Sequence, residues 1–92
     1  MKSIMQDKKE CYFCGSQIYL ESHHCILGKN RHNAEKYGLK VWLCFEHHRG
    51  TNGVHGKYGN VLQNRLKMEA QRKFVETYPD KDFLEIFKIN YL

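Results

Sequence analysis

Two ligand pairs constrain this chain more than any other feature: Cys11-x2-Cys14 near its start and Cys44-x2-His47 near its middle. A two-residue gap lets both side chains of a pair converge on one ion from a tight turn, the spacing that tetrahedral zinc favours. Two pairs thirty residues apart clamp the start of the chain to the end of its second predicted strand. With 92 residues the chain forms one small domain. Such a domain buries only about two-thirds of its unfolded surface, so its core is thin and a metal staple has much to add. Thiolates with an imidazole suit zinc and not the oxygen-preferring cations. Structural zinc at Cys11, Cys14, Cys44 and His47 is therefore expected to be part of the fold. Cys25 lies outside both pairs and reads as an ordinary small buried residue.

The opening MKSIMQDKKE is charged and carries no long apolar run, so no signal peptide is expected. No stretch approaches the roughly 18 apolar residues of a membrane span. The expected setting is cytoplasmic, where thiols stay reduced and clustered Cys and His act as metal ligands, not disulfides. Fifteen Lys and Arg against ten Asp and Glu give a net charge of +5. A basic surplus on a small domain favours a polyanion partner, most commonly nucleic acid.

Along the chain there is no repeat, low-complexity tract or linker. Residues 1–9 read as a loosely held polar lead-in and 11–15 as a tight turn. Ile18 and Leu20 alternate in QIYLESHH, predicting a first strand over 17–24. GKNRHNAEKYG at 28–38 reads as a basic loop with one helical turn near Asn33–Tyr37, and LKVWLC at 39–44 as the second strand. A helix opening at Phe45 is interrupted by Gly50 and Gly53. Tyr58, Leu62, Leu66, Ala70, Phe74 and Tyr78 recur every four residues, with Val61 and Val75 alongside, predicting an amphipathic helix of about five turns that Pro79 ends. Asp80 is the expected N-cap of a last short helix bearing Phe83, Leu84, Ile86 and Phe87. The expected class is α+β: a zinc-stapled core over 11–56 and a helical extension over 57–92 in one domain.

A second constellation remains once the zinc ligands are set aside. His23 and His24 end the first strand, His48 follows the zinc ligand His47, and His55 comes seven residues later. If zinc brings these segments together, His23, His48 and His55 face one another and leave open positions for water and substrate, as a catalytic metal requires. His24 is then free to take a proton from attacking water. His32 stands alone in the basic loop and suits a solvated or phosphate-touching role.

In this order, Cys11-x2-Cys14, His23-His24, Leu43-Cys44-x2-His47-His48 and His55 resemble an HNH endonuclease of the treble-clef, ββα-metal type. The likeness is closest to small bacteriophage and prophage HNH proteins, which carry similar "HH…G…R…YGL…LC..HH…GVH" strings. It covers residues 11 to 56, about half the chain. The resemblance implies a metal-dependent hydrolase that cuts or nicks DNA, of phage or prophage origin and acting in the host cytoplasm. It makes His23, His48 and His55 ligands of a catalytic divalent metal such as Mg2+, Mn2+, Ni2+ or Zn2+, and His24 the general base. The sequence departs from the pattern in two places. Gly38–Leu39 stand where an asparagine is usual, and the interval from His48 to His55 is longer than the usual one.

Lys29, Arg31, Lys36, Arg49 and Lys57 flank the expected cleft and would neutralise phosphates of double-stranded DNA without reading bases. No element for sequence recognition stands out, so specificity is expected to be low or supplied by a protein partner. The FLEIFKINYL tail leaves a homodimer open. The alternative is a catalytically inactive treble-clef zinc module that binds DNA or a host protein, as a phage counter-defence or recombination accessory factor would.

Overall fold

Two short strands pair antiparallel at the centre of the molecule. The computed structural model describes all residues, Met1–Leu92. β1 (Glu21–His24) runs against β2 (Lys40–Leu43), with Glu21 opposite Leu43 and His24 opposite Lys40. Between them a 3-10 turn (Gly28–Asn30) leads into α1 (Arg31–Tyr37). After β2 come α2 (Phe45–Arg49), α3 (Asn60–Thr77) and α4 (Phe83–Phe87). The class is α+β, a two-stranded sheet with four α-helices. No helix is long and apolar enough to cross a membrane.

The first strand is shorter than its alternation predicts. Tyr19 takes the left-handed conformation (φ 53°), which ends any extended run there, and Ile18 and Tyr19 are exposed. Residues 28–38 hold more helix than the one turn expected, since α1 runs from Arg31 to a left-handed Gly38 (φ 75°) whose amide caps it. A side chain at Gly38 would meet the Lys2 carbonyl at 2.4 Å, because the N-terminal arm passes directly over it. That arm is not a loose lead-in. Ile4 donates its amide to the Gly38 carbonyl at 2.9 Å, and Gln6 accepts the Trp42 amide at 2.6 Å.

α3 buries Leu66, Ala70 and Phe74, three positions of the predicted four-residue stripe. Tyr58 lies before the helix and is exposed, and Val61 and Val75 face solvent. One position off a four-residue stripe turns a side chain about 100° around the helix, away from the core. The N-cap of α4 is Asp82, not Asp80: its carboxylate accepts the amides of Leu84 (3.0 Å) and Glu85 (3.4 Å). Pro79–Lys81 are spent in a turn, closed by the Lys81 amide on the Tyr78 carbonyl, so the helix begins later.

The core is continuous from hairpin to C-terminus. Ile26, Leu39, Val41 and Leu43 share one buried cluster with Leu66, Phe74, Phe83 and Phe87. Phe83 stacks on Phe87 at 4.4 Å, and Tyr37 from α1 meets Phe74 edge-on at 5.2 Å. Asn30 and Asn33 donate their side-chain amides to the Phe87 and Ile86 carbonyls (2.9 and 3.4 Å), so both tie α1 to α4. Of the tail, Phe83 and Phe87 are used inside the chain, while Leu84, Ile89 and Leu92 remain exposed.

Candidate metal centres and an imidazole–carboxylate pair

Cys11, Cys14, Cys44 and His47 come together as their spacing predicts. Their ligand atoms all lie within 4.8 Å of one another. Cys11–Cys14 sits in a turn closed by the Gly15 amide on the Cys11 carbonyl (2.8 Å), and Cys44 is the N-cap of α2, whose first turn brings His47 back over it. Cys14 Sγ and Cys44 Sγ are 3.7 Å apart, and His47 Nδ1 is 3.7 Å from Cys11 Sγ and 3.2 Å from Cys44 Sγ. Two thiolates on a tetrahedral zinc at 2.3 Å are separated by about 3.8 Å. The four residues therefore fit a tetrahedral ion such as zinc. All cysteines are free thiols. Cys25 is buried outside this cluster, and burial pushes its thiol up.

His23, His48 and His55 form the second cluster, with ligand nitrogens also within 4.8 Å of one another. Their ring centroids are 4.7 to 5.3 Å apart and every pair meets edge-on, so ring edges converge on one point. Each side chain arrives from a different element. His23 is on β1, opposite Val41; His48 is on α2; His55 lies in the loop that follows. That loop explains the long interval between the last two. Glycines recur every third residue, and the amides of Gly53 and Gly56 bond to the carbonyls of Gly50 and Gly53 (2.9 and 2.8 Å). A side chain at Gly56 would lie 1.9 Å from the Gly50 carbonyl oxygen. The loop thus folds tightly onto α2, and the His55 amide donates to the His48 carbonyl at 2.9 Å.

The local electrostatics favour the neutral form of His23 and His55, the form that ligates metal. Burial first, then the neighbouring His48, His55 and His24, lowers His23 to about 3. Burial likewise lowers His55. His48 Nδ1 donates to Glu21 Oε1 at 3.1 Å, which leaves Nε2 for the ion. Arg49 grips the same carboxylate through Nε (2.9 Å) and Nη2 (3.3 Å), so it is paired and not free over the cleft. Those bonds, Arg49 first and then His48, hold the Glu21 carboxyl down at about 2. His23 and His48 are buried while His55 is exposed, so the cluster opens to solvent on one side. Three imidazoles with one open side fit a divalent transition ion that keeps a position for water or substrate.

His24 is not in that cluster. It remains within β1, and successive strand residues point to opposite faces. Its Nε2 lies 2.8 Å from Glu35 Oε1 on α1, and Arg31 Nε donates to its Nδ1 at 3.3 Å. Lys40, opposite His24 across the sheet, donates to both Glu35 oxygens (3.3 and 3.0 Å). The His24 and Lys40 bonds, in that order, hold the Glu35 carboxyl at about 2.

Among the predicted phosphate contacts, Lys29 lies in the 3-10 turn and Arg31 and Lys36 on α1, and of these Arg31 contacts His24. Lys36 and Lys57 lie over the rings of Tyr37 and Tyr58, each at 5.4 Å. His32 is exposed on α1. Two acidic residues escape the motif reading. Glu21 carries a usable signal, because it stands two residues before His23 on a strand and so shares its face. Glu35 carries none, being eleven residues from His24 and brought there only by α1. No family model, curated protein or solved structure matches the chain.

Proposed function

We infer that this chain is a metal-dependent DNA endonuclease or nickase of the HNH, treble-clef ββα-metal type. The observation that carries the reading is the pairing of two separate ligand clusters in so small a chain: one rich in cysteine, one of three imidazoles with an exposed side. The first suits structural zinc and the second a catalytic divalent ion. That ion, when bound by His23, His48 and His55, supplies positive charge for the phosphate and the leaving oxygen. The chain supplies the rest. His24 takes the proton of attacking water. Lys29, Arg31, Lys36 and Lys57 neutralise flanking phosphates. Arg49 joins them where DNA displaces Glu21 from its guanidinium. These contacts read no base, so cleavage has low sequence specificity unless a partner adds it.

The test is plasmid nicking with Mg2+, Mn2+, Ni2+ and Zn2+, with wild type and His24→Ala in parallel. Wild type relaxes supercoiled plasmid with at least one ion. His24→Ala loses about 100-fold or more of the rate at unchanged zinc content. A His24→Ala protein that nicks as well as wild type removes His24 from the mechanism.

One observation favours a second reading. The His24 ring stands apart from the three-imidazole cluster and is tied up by Glu35 and Arg31. A non-catalytic zinc module that binds DNA or a host protein needs no base. The number of bound metals separates the two: a nuclease holds zinc plus a second divalent ion, a pure binder zinc alone.

A further inference from the structure

We propose that Glu35 is the positioning residue for His24, holding its imidazole in the tautomer whose Nδ1 lone pair accepts a proton, and that Arg31 covers that lone pair until a phosphate draws the guanidinium away. The proposal rests on the reading of His24 as the base of a phosphodiesterase.

Two contacts with opposite demands determine the tautomer. A carboxylate only accepts, so at 2.8 Å from Glu35 the Nε2 position carries the hydrogen. A guanidinium only donates, so at 3.3 Å from Arg31 the Nδ1 position carries the lone pair. One neutral tautomer satisfies both. Glu35 is itself held by Lys40, which donates to both its oxygens, and by the Met1 ammonium at 3.2 Å, so the carboxylate that aims the ring has partners of its own. The His24 side chain is only 14 % exposed, so few other orientations are open to it.

Arg31 gives the pair a substrate-dependent element. Its contact with Nδ1 is long for a hydrogen bond, while a phosphate offers it two charged oxygens in the bidentate geometry that guanidinium prefers. As the phosphate takes Arg31, Nδ1 is uncovered beside the group to be cleaved. The attacking water then gives one proton to Nδ1 as its oxygen bonds to phosphorus. The bond from phosphorus to the leaving oxygen breaks, and that oxygen takes a proton from solvent. The imidazolium keeps its Nε2 hydrogen on Glu35, whose charge stabilises it, and afterwards returns the Nδ1 proton to water. Glu35 stays ionised throughout.

The experiment has two arms. Imidazole 15N chemical shifts of the zinc-loaded wild type without DNA read the tautomer directly. The expected result is a His24 ring protonated at Nε2 alone, with Glu35→Ala giving a mixture. A wild-type ring protonated at Nδ1, or already mixed, overturns the proposal whether or not the variant folds. In the kinetic arm, Glu35→Ala lowers kcat for nicking by about 10- to 100-fold at unchanged KM and zinc content, and Glu35→Gln, which still offers an acceptor oxygen, recovers part of the loss. Arg31→Ala raises KM instead. A wild type that nicks while Glu35→Ala keeps its kcat overturns the proposal alone. A wild type that fails to nick with every one of the four ions overturns the nuclease reading and, with it, any catalytic use of the pair.

Discussion

The two adjacent histidines show how one residue of displacement along a strand divides chemistry. His23 points to the face where His48 and His55 meet it, and His24 points to α1 and Glu35. The carboxylates divide the same way: Glu21 bonds His48, the neighbour of His23 in its cluster, and Glu35 bonds His24. Where the HNH pattern usually has an asparagine, the chain has Gly38–Leu39, and its nearby Asn30 and Asn33 are spent tying α1 to α4. The side chain that bonds His24 is instead Glu35 on α1. At this scale we expect Glu21→Ala to weaken binding of the second divalent ion by about 10- to 100-fold, because His48 loses the acceptor that leaves Nε2 for metal. Zinc content should stay the same. Competition titration with a metal indicator measures it, and an unchanged affinity would remove Glu21 from the site.

Among the elements, the loop from Gly50 to Gly59 is the least expected and the most consequential. Its glycines interrupt the helix begun at Phe45, as their presence in the sequence suggests. Their spacing of three also packs the loop so closely that Cβ atoms have no room. The physical result is a return of the chain onto α2 that seats His55 against His48 at a centroid distance of 4.7 Å. Gly56→Ala tests this. The added methyl meets backbone, which cannot rotate aside, so a loss of about 1–3 kcal/mol is expected, as for other overpacked sites. Bound metal should drop from two ions to one as His55 is displaced. Thermal melting together with metal analysis reads both effects, and a variant that keeps two ions and the wild-type Tm would refute the account.

Over the whole molecule, a zinc ion held by Cys11, Cys14, Cys44 and His47 would add to what the aromatic core supplies. The Cys11–Cys14 turn meets Cys44 and His47 at the junction of β2 and α2, and Tyr12 within it also donates its amide to the Trp42 carbonyl (2.9 Å) and its hydroxyl to Glu69 on α3. A structural zinc contributes on the order of 10–16 kcal/mol in small zinc domains, whereas a whole domain is stable by about 5–15 kcal/mol. Removal of zinc by a strong chelator is therefore expected to unfold the chain. Far-UV circular dichroism and loss of protection in hydrogen exchange follow the transition. A chelated protein with its native spectrum would show that the C-terminal core suffices.

By itself, the sequence determined the two ligand pairs, the second strand, the buried stripe of α3 and the identity of the three converging imidazoles. The pairs, the strand and the stripe are local: a spacing within a turn, an alternation or a four-residue period places their side chains without reference to the rest of the chain, whereas the three imidazoles, on different elements, meet only through packing. Tertiary structure alone decided where the first strand begins, since Tyr19 turns left-handed just before it, and where α4 starts, since Pro79–Lys81 form a turn before it. It also decided that the polar N-terminal arm docks on the hairpin, that Val61 and Val75 face water, and that Glu35 stands on His24. Contacts between residues on different elements depend on how those elements pack. No periodicity within one segment records that.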